Sequence, residues 1–303
     1  MKIDKSAIAF ETALLDEADV RHTPCGDGSM VWHVWGAGPP LIMLHGGSGS
    51  WRHWALNIRE LARHYTLYVG DLPGLGDSSD PPNPFNTDDF PGSVDHLAEI
   101  TCAGIETLLP SGSPFKILGF SFGSITSGYV VARMQDRVEH LALVGPASFG
   151  LPWGGLQGHR KAPKYAKDDA ELKEFHRHNL HLVMFGDPAN IDDLALHLQI
   201  ECVSRARLRS HRISGTDTLL RALKRSNVPF SALWGADDVY SLPDLQSRPA
   251  LLRTLQPEAD CRVIDGAGHW VMYEAADEFN AAILEQLGGI AQDYIEEGRL
   301  TVS

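Results

Sequence analysis

Cationic excess is missing from this 303-residue chain. Its 26 lysines and arginines face 39 aspartates and glutamates, for a formal charge of −13. Such a surface repels phosphate backbones and anionic lipid, so nucleic acid and membrane partners are set aside. Cysteine is scarce as well. Cys25, Cys102, Cys202 and Cys261 lie far apart and form no CxxC pair. Neither a zinc site nor a disulfide framework is suggested, and thiols in a reducing compartment fit the pattern. Long apolar runs are also lacking. Met1 to Phe10 hold no stretch suited to a signal peptide, and the nearest candidate for a span, residues 141–156, is broken by Pro146, Pro152 and several glycines. A cytoplasmic location is the expectation. Repeats and low-complexity tracts are absent.

What is present is a series of short apolar runs that end in glycine or aspartate. Pro40-Leu41-Ile42-Met43-Leu44 ends at His45-Gly46-Gly47-Ser48-Gly49-Ser50, and Tyr65-Thr66-Leu67-Tyr68-Val69 ends at Asp71-Leu72-Pro73-Gly74. Phe115-Lys116-Ile117-Leu118, Leu141-Ala142-Leu143-Val144, Phe230-Ser231-Ala232-Leu233-Trp234 and Cys261-Arg262-Val263-Ile264 end in the same way. Continuous apolar runs of this length read as parallel strands buried on both faces. Val31 to Trp35, preceded by the turn residues Cys25-Gly26-Asp27-Gly28-Ser29, reads as half of a hairpin. Helical spacing appears between the runs, at residues 51–63, 93–109, 125–134 and 275–287. Strands alternating with helices predict a mostly parallel sheet covered on both sides. Between about 151 and 224 the alternation stops. Two helical patterns, 169–185 and 191–211, flank the breaker Asp187-Pro188, so this stretch reads as a helical insertion. The segment after Gly289 is acidic and weakly patterned.

The chemistry centres on Gly119-Phe120-Ser121-Phe122-Gly123, a G-x-S-x-G sequence between an apolar strand and a helix. A sharp turn there would expose the Ser121 hydroxyl, and glycines are needed where side chains would collide with the neighbouring strand and helix. A serine hydroxyl is a poor nucleophile without a base, and the base needs an orienting group. Both are available after later strands: His269 in Gly266-Ala267-Gly268-His269-Trp270, and an aspartate in Trp234-Gly235-Ala236-Asp237-Asp238. An oxyanion hole needs two N–H donors. Phe122 would supply one. The loop His45-Gly46-Gly47-Ser48-Gly49 would supply the other, from Gly47 first and Ser48 next. That loop is no phosphate cradle, because no Gly-Lys-Ser/Thr follows, and Gly74-Leu75-Gly76 lacks the third glycine of a dinucleotide site. His176, His178 and His181 sit on a helix with spacing that does not share one face, which argues against a metal site. His22, His53, His64 and His96 have no motif around them.

Taken together, these pieces resemble the α/β-hydrolase superfamily over nearly the whole chain. The matching segments are His45-Gly46-Gly47, Asp71-Leu72-Pro73-Gly74-Leu75-Gly76-Asp77-Ser78, Gly119 to Gly123, Trp234 to Asp238, and Gly268-His269, with the order Ser…Asp…His. The resemblance implies an α/β-hydrolase core at residues 1–150 and 223–303, with residues 151–222 as a helical cap. It also selects Asp238 over Asp237 as the acid. The segment Gly268-His269-Trp270, Tyr273-Glu274 and Ala276 to Asn280 is similar to the meta-cleavage product hydrolases, which cut a carbon–carbon bond in vinylogous 1,5-diketones. Those enzymes typically carry an HGxGPG loop and often an Asn before the nucleophile. This chain has His45-Gly46-Gly47-Ser48-Gly49-Ser50-Trp51 and Phe120. They also use a cap arginine for a substrate carboxylate, for which Arg205, Arg207, Arg209 and Arg212 are candidates. Related dehalogenases and epoxide hydrolases use Asp where this chain has Ser121.

The expectation is a cofactor-free, metal-free serine hydrolase of a small ester or lactone. Ser121, His269 and Asp238 form its triad, and Gly47 and Phe122 its oxyanion hole. Ser48, Trp51, Phe120, Trp270, Arg205 and Arg209 are candidate substrate contacts. A carbon–carbon hydrolase and a non-catalytic ligand-binding protein of the same fold are the alternatives. The partner is a small molecule, and a homodimer is admitted.

Overall fold

In the computed structural model, residues 5–155, 158, 169–210 and 212–288 are described. His211, most of the first part of the insertion and the acidic segment after 288 lie outside them. The strands are β1 (Asp19–Cys25), β2 (Gly28–Trp35), β3 (Pro40–Leu44), β4 (Thr66–Gly70), β5 (Phe115–Phe120), β6 (Val138–Val144), β7 (Phe230–Gly235) and β8 (Cys261–Ile264). The α-helices are α1 (Lys5–Asp16), α2 (Ile58–Leu61), α3 (Phe90–Leu108), α4 (Phe122–Met134), α5 (Asp169–Val183), α6 (Asp193–Ser204), α7 (Thr218–Leu223), α8 (Ser247–Leu255), α9 (Val271–Glu274) and α10 (Ala276–Gln286).

The eight strands form one sheet in the order β1-β2-β4-β3-β5-β6-β7-β8. β1 and β2 are an antiparallel hairpin, β2 joins β4 antiparallel, and β3 to β8 run parallel to one another. Alternation along the buried strands divides the core in two. Ile42, Leu44, Ile117, Leu141 and Leu143 pack on one face with Val94, Ile125 and Val130 of α3 and α4. Leu41, Met43, Leu118, Ala142 and Val144 pack on the other with Trp54, Phe279 and Ile283. Successive side chains in a strand point to opposite faces, so a strand covered on both sides must be apolar throughout.

Two expected helices come out shorter. Residues 51–63 do not form one helix. Trp51–Trp54 is a 3₁₀ turn and α2 begins only at Ile58. The His53 carbonyl accepts the Trp270 indole N–H at 2.9 Å, and the Asn57 N–H bonds to Trp54, three residues back. The α-helical ladder is therefore interrupted there. The pattern at 191–211 is helical only to Ser204. Beyond it the Arg207 and Leu208 N–H groups both donate to the Gly74 carbonyl, at 2.9 and 3.2 Å, which turns the chain into a strap against the core. α1, α7 and α8 go beyond the patterns read from the sequence. Among the described residues no strand lies within the insertion, and no helix is long and apolar enough to cross a membrane.

Candidate active site

Four loops at the carboxyl ends of β3, β5, β7 and β8 bring the candidate residues together, the usual location for a site in an open α/β sheet. Ser121 sits between β5 and α4 with φ 51° and ψ −112°. This backbone region is one that side chains rarely occupy, and the surrounding structure must enforce it. The flanking glycines make the turn possible. A β-carbon on Gly123 would lie 2.2 Å from the Leu44 carbonyl oxygen, and one on Gly119 would lie 2.7 Å from the Gly123 carbonyl oxygen.

His269 Nε2 is 2.9 Å from Ser121 Oγ, and His269 Nδ1 is 2.9 Å from Asp238 Oδ2. Asp238 is completely buried and His269 is 3% exposed, whereas Asp237 is exposed. The second Asp238 oxygen, Oδ1, accepts the Tyr240 N–H at 2.9 Å. A buried carboxylate bonded on both oxygens stays where it is put. The His269 ring packs between Phe120 and Tyr240, with centroids 4.9 and 4.4 Å away. Burial pushes the Tyr240 phenol up, and the nearby Asp238 charge adds to this, so Tyr240 is a neutral wall.

The loop after β3 runs beside the serine. A β-carbon on Gly46 would lie 3.3 Å from Ser121 Cβ, and one on Gly47 would lie 3.8 Å from Phe122 Cβ. Phe122 opens α4, so its N–H has no helical acceptor. Among the described residues the Gly47 N–H likewise donates to no protein atom. Three groups hold the loop. His45 Nε2 accepts the Leu72 N–H at 2.9 Å while Nδ1 donates to the Gly46 carbonyl at 2.8 Å. His53 Nδ1 accepts the Gly46 N–H at 3.2 Å. Asp71 accepts from the Trp51 and Asp77 N–H groups, at 2.7 and 2.9 Å. Burial lowers His45 to about 4 and drives His53 well below its ordinary value, so both are neutral acceptors. His53 stands in no motif. Its signal was only its place seven residues after Gly46.

The candidate substrate contacts divide. Trp51, Phe120 and Trp270 are buried, and in this conformation they offer a ligand next to no surface. Trp51 packs on His33 and Trp35, and the Arg52 guanidinium lies 5.0 Å from its ring. Phe120 and Trp270 pack around His53. Ser48 is exposed, with φ 52°. Arg205 is paired with Asp77 and Glu201, and Arg207 with Asp80. Arg209 is exposed and forms no ion pair among the described residues. It lines a cavity of about 390 Å³ with Pro81, Pro84, Phe85, Arg207 and Leu208. Phe85 of this lining also stands 5.8 Å from the buried Phe122 ring, centroid to centroid. His178 bonds to the Gly158 carbonyl at 3.0 Å. No cluster of three His, Cys, Asp or Glu side chains suited to a metal occurs among the described residues.

Comparison with known proteins places the chain in a family. The chain is 26% identical over 296 residues to the dihydrolipoyllysine-residue acetyltransferase component of the acetoin cleaving system of Cupriavidus necator, covering 94% of this chain and 71% of that protein. It is 34% identical over 135 residues to a bovine (lyso)-N-acylphosphatidylethanolamine lipase, covering 44% of this chain and 37% of that one. The chain therefore spans only part of these relatives. Among solved structures, a meta-cleavage product hydrolase (CumD) aligns with a TM-score of 0.69 at 21% identity, over 88% of this chain and 97% of that one. An aryl esterase described as putative, from Burkholderia cenocepacia, aligns with a TM-score of 0.68 at 20% identity, over 89% and 98%. These likenesses show the fold. The model of the alpha/beta hydrolase family matches residues 41–282, four-fifths of the sequence, and the chain belongs to that family.

Proposed function

We propose that the protein is a serine hydrolase of small carboxylic esters or lactones, with Ser121 as nucleophile, His269 as general base and Asp238 as its orienting acid. One observation carries this reading: the unbroken hydrogen-bonded chain from Ser121 Oγ through His269 to buried Asp238. Ser121 Oγ bonds to the carbonyl carbon and its proton passes to His269 Nε2. The carbonyl π pair moves onto oxygen, where the Gly47 and Phe122 N–H groups receive it. Collapse expels the alcohol, which takes the proton from His269. A water molecule then repeats the sequence to release the acid. Residues 151–222 serve as the cap over this site, Ser48 is the exposed candidate for contact with an ester or lactone, and Arg209 is the candidate for holding the carboxylate of a dienol acid in the carbon–carbon alternative.

Kinship by name to a lipase and likeness to an aryl esterase support ester chemistry. Phe120 supports it over carbon–carbon cleavage, because an apolar ring packed on His269 stands where the meta-cleavage enzymes often have an amide.

The test is a panel of aryl esters, lactones and ring-fission dienol acids on wild type, Ser121→Ala and Arg209→Ala. Ester or lactone turnover is expected, abolished by Ser121→Ala and indifferent to Arg209→Ala. Turnover of dienol acids alone, lost with Arg209→Ala, would establish the carbon–carbon reading instead. A wild type inert to the whole panel leaves a ligand-binding protein. Asp238→Asn is expected to lower kcat about 10⁴-fold while Asp237→Asn stays near wild type. The reverse result reassigns the acid.

A further inference from the structure

Within that reading, we infer that the hydroxyl of Ser210, carried by the cap strap, is a third hydrogen-bond donor to the substrate's developing oxyanion. Ser210 is 7% exposed. A β-carbon on Gly47, the loop residue assigned to the oxyanion hole, would lie 2.5 Å from Ser210 Oγ. The hydroxyl therefore faces the same backbone that offers the Gly47 N–H, on the side where Phe122 Cβ also approaches. Among the described residues Ser210 Oγ makes no hydrogen bond, and it is not sealed from solvent. A nearly buried hydroxyl with no partner among the described residues, set against the Gly47 backbone, is available to a ligand.

The strap holds Ser210 on anchors rather than on a mobile loop. The Arg207 and Leu208 N–H groups donate to the Gly74 carbonyl. Leu208 and Ile213, on either side of Ser210, are buried in the same core cluster as Phe122. The Ile213 N–H donates to the Ser210 carbonyl at 3.0 Å, closing the turn around it. A donor fixed before reaction costs no reorganisation when charge appears, the condition for stabilising a transition state more than a ground state. As Ser121 Oγ bonds to carbon and its proton moves to His269, the Ser210 O–H donates to the carbonyl oxygen. Its own proton stays in place. Catalysis is thereby tied to the cap, because one of three donors comes from residues 205–213 while the other two belong to the core.

The inference rests on the serine-hydrolase reading, which wild-type turnover and Ser121→Ala test separately. For the inference itself, Ser210→Ala and Ser210→Thr are compared with wild type on an aryl ester and in binding an arylboronic acid. The boronic acid forms a tetrahedral adduct on Ser121 and reports oxyanion stabilisation without turnover. Ser210→Ala is expected to lower kcat roughly 10- to 100-fold with KM little changed, and to weaken boronate binding in parallel. Ser210→Thr, which keeps the hydroxyl, is expected to recover most of both. Thermal melting guards against misfolding, since the deleted hydroxyl has no partner among the described residues and Tm should hold. Unchanged kcat and boronate affinity overturn the inference. So does a rise in KM alone, which would make Ser210 a ground-state contact.

Discussion

A neutral imidazole can accept a backbone N–H, and an imidazolium cannot. His45 and His53 are held in that acceptor state by complete burial, and each fixes one side of the Gly46 peptide. His140, bonded to Ser231 Oγ at 2.9 Å, is likewise lowered to about 4 by burial and by Lys116. These histidines have folded pKa values below the unfolded 6.5. The unfolded chain therefore binds more protons below pH 6.5, and stability is fully present above that value and falls as pH drops towards 4. For His45 the full shift from 6.5 to about 4 corresponds to about 3 kcal/mol. Urea midpoints should decline already between pH 6.5 and 5, before carboxylates titrate. His45→Asn should flatten that slope, and a midpoint level down to pH 5 in wild type refutes the assignment. None of this was visible as a motif. In the sequence His45 is only the first residue of a glycine loop, and His53 has no motif around it. Their roles follow from burial, which only the folded chain defines.

At the next scale, the helical insertion is joined to the loop after β8 that carries His269. Glu274, at the end of α9, accepts four donors. The Gly186 and Gly268 N–H groups reach one oxygen at 2.9 and 2.7 Å. The Asp187 N–H and the Asn190 amide reach the other at 2.9 and 3.0 Å. The Trp270 N–H also donates to the Met184 carbonyl at 2.7 Å. The chain after α5 is thus sewn to the residues on either side of His269, and Glu274 holds the loop that carries this proposed base. Glu274→Gln would aim an amide NH₂ at N–H donors. It should cost about 2 kcal/mol, or roughly 4 °C in Tm for a chain of this size. The kcat is expected to fall about tenfold with KM nearly unchanged, because His269 is displaced while the pocket remains. Melting and steady-state kinetics decide it, and a wild-type kcat removes Glu274 from the role. The strands were legible because double-sided burial demands continuous apolar runs, and the Ser121 and His269 turns because glycine must flank them. The Asp187-Pro188 breaker was legible too, whereas its bond to Glu274, nearly ninety residues on, was not. The helical pattern at 191–211 continued past Ser204, but Gly74 captures the Arg207 and Leu208 N–H groups, a tertiary bond that no local periodicity announces.

Across the whole molecule, one buried ionic cluster joins the first helix, the loop after β3 and the insertion. Glu11 of α1 accepts from Arg52 Nε at 2.6 Å and pairs with His197 of α6. Arg52 Nη1 reaches Ser50 Oγ at 3.3 Å, and Ser50 Oγ lies 3.4 Å from Cys202 Sγ of α6. Burial alone would raise the Glu11 carboxyl, but the hydrogen bond from His197 and the Arg52 charge outweigh it and hold the group below its ordinary 4.5. Its contribution is therefore present above pH 4.5 and lost as pH falls through the lower folded value. Removing one member leaves buried charge uncompensated, so Glu11→Gln is expected to destabilise the fold by about 3 kcal/mol. The effect should concentrate where α1 meets the insertion. Amide hydrogen exchange in α6 should accelerate more than in α3, which the cluster does not touch. Replacing Glu11, Arg52 and His197 together by apolar residues of similar volume should cost less than Glu11→Gln alone, because no orphaned charge remains. If Glu11→Gln melts with the wild type and α6 exchanges at its wild-type rate, the cluster transmits nothing between the first helix and the insertion. The strap carrying Ser210 would then depend only on its own anchors, Leu208 and Ile213.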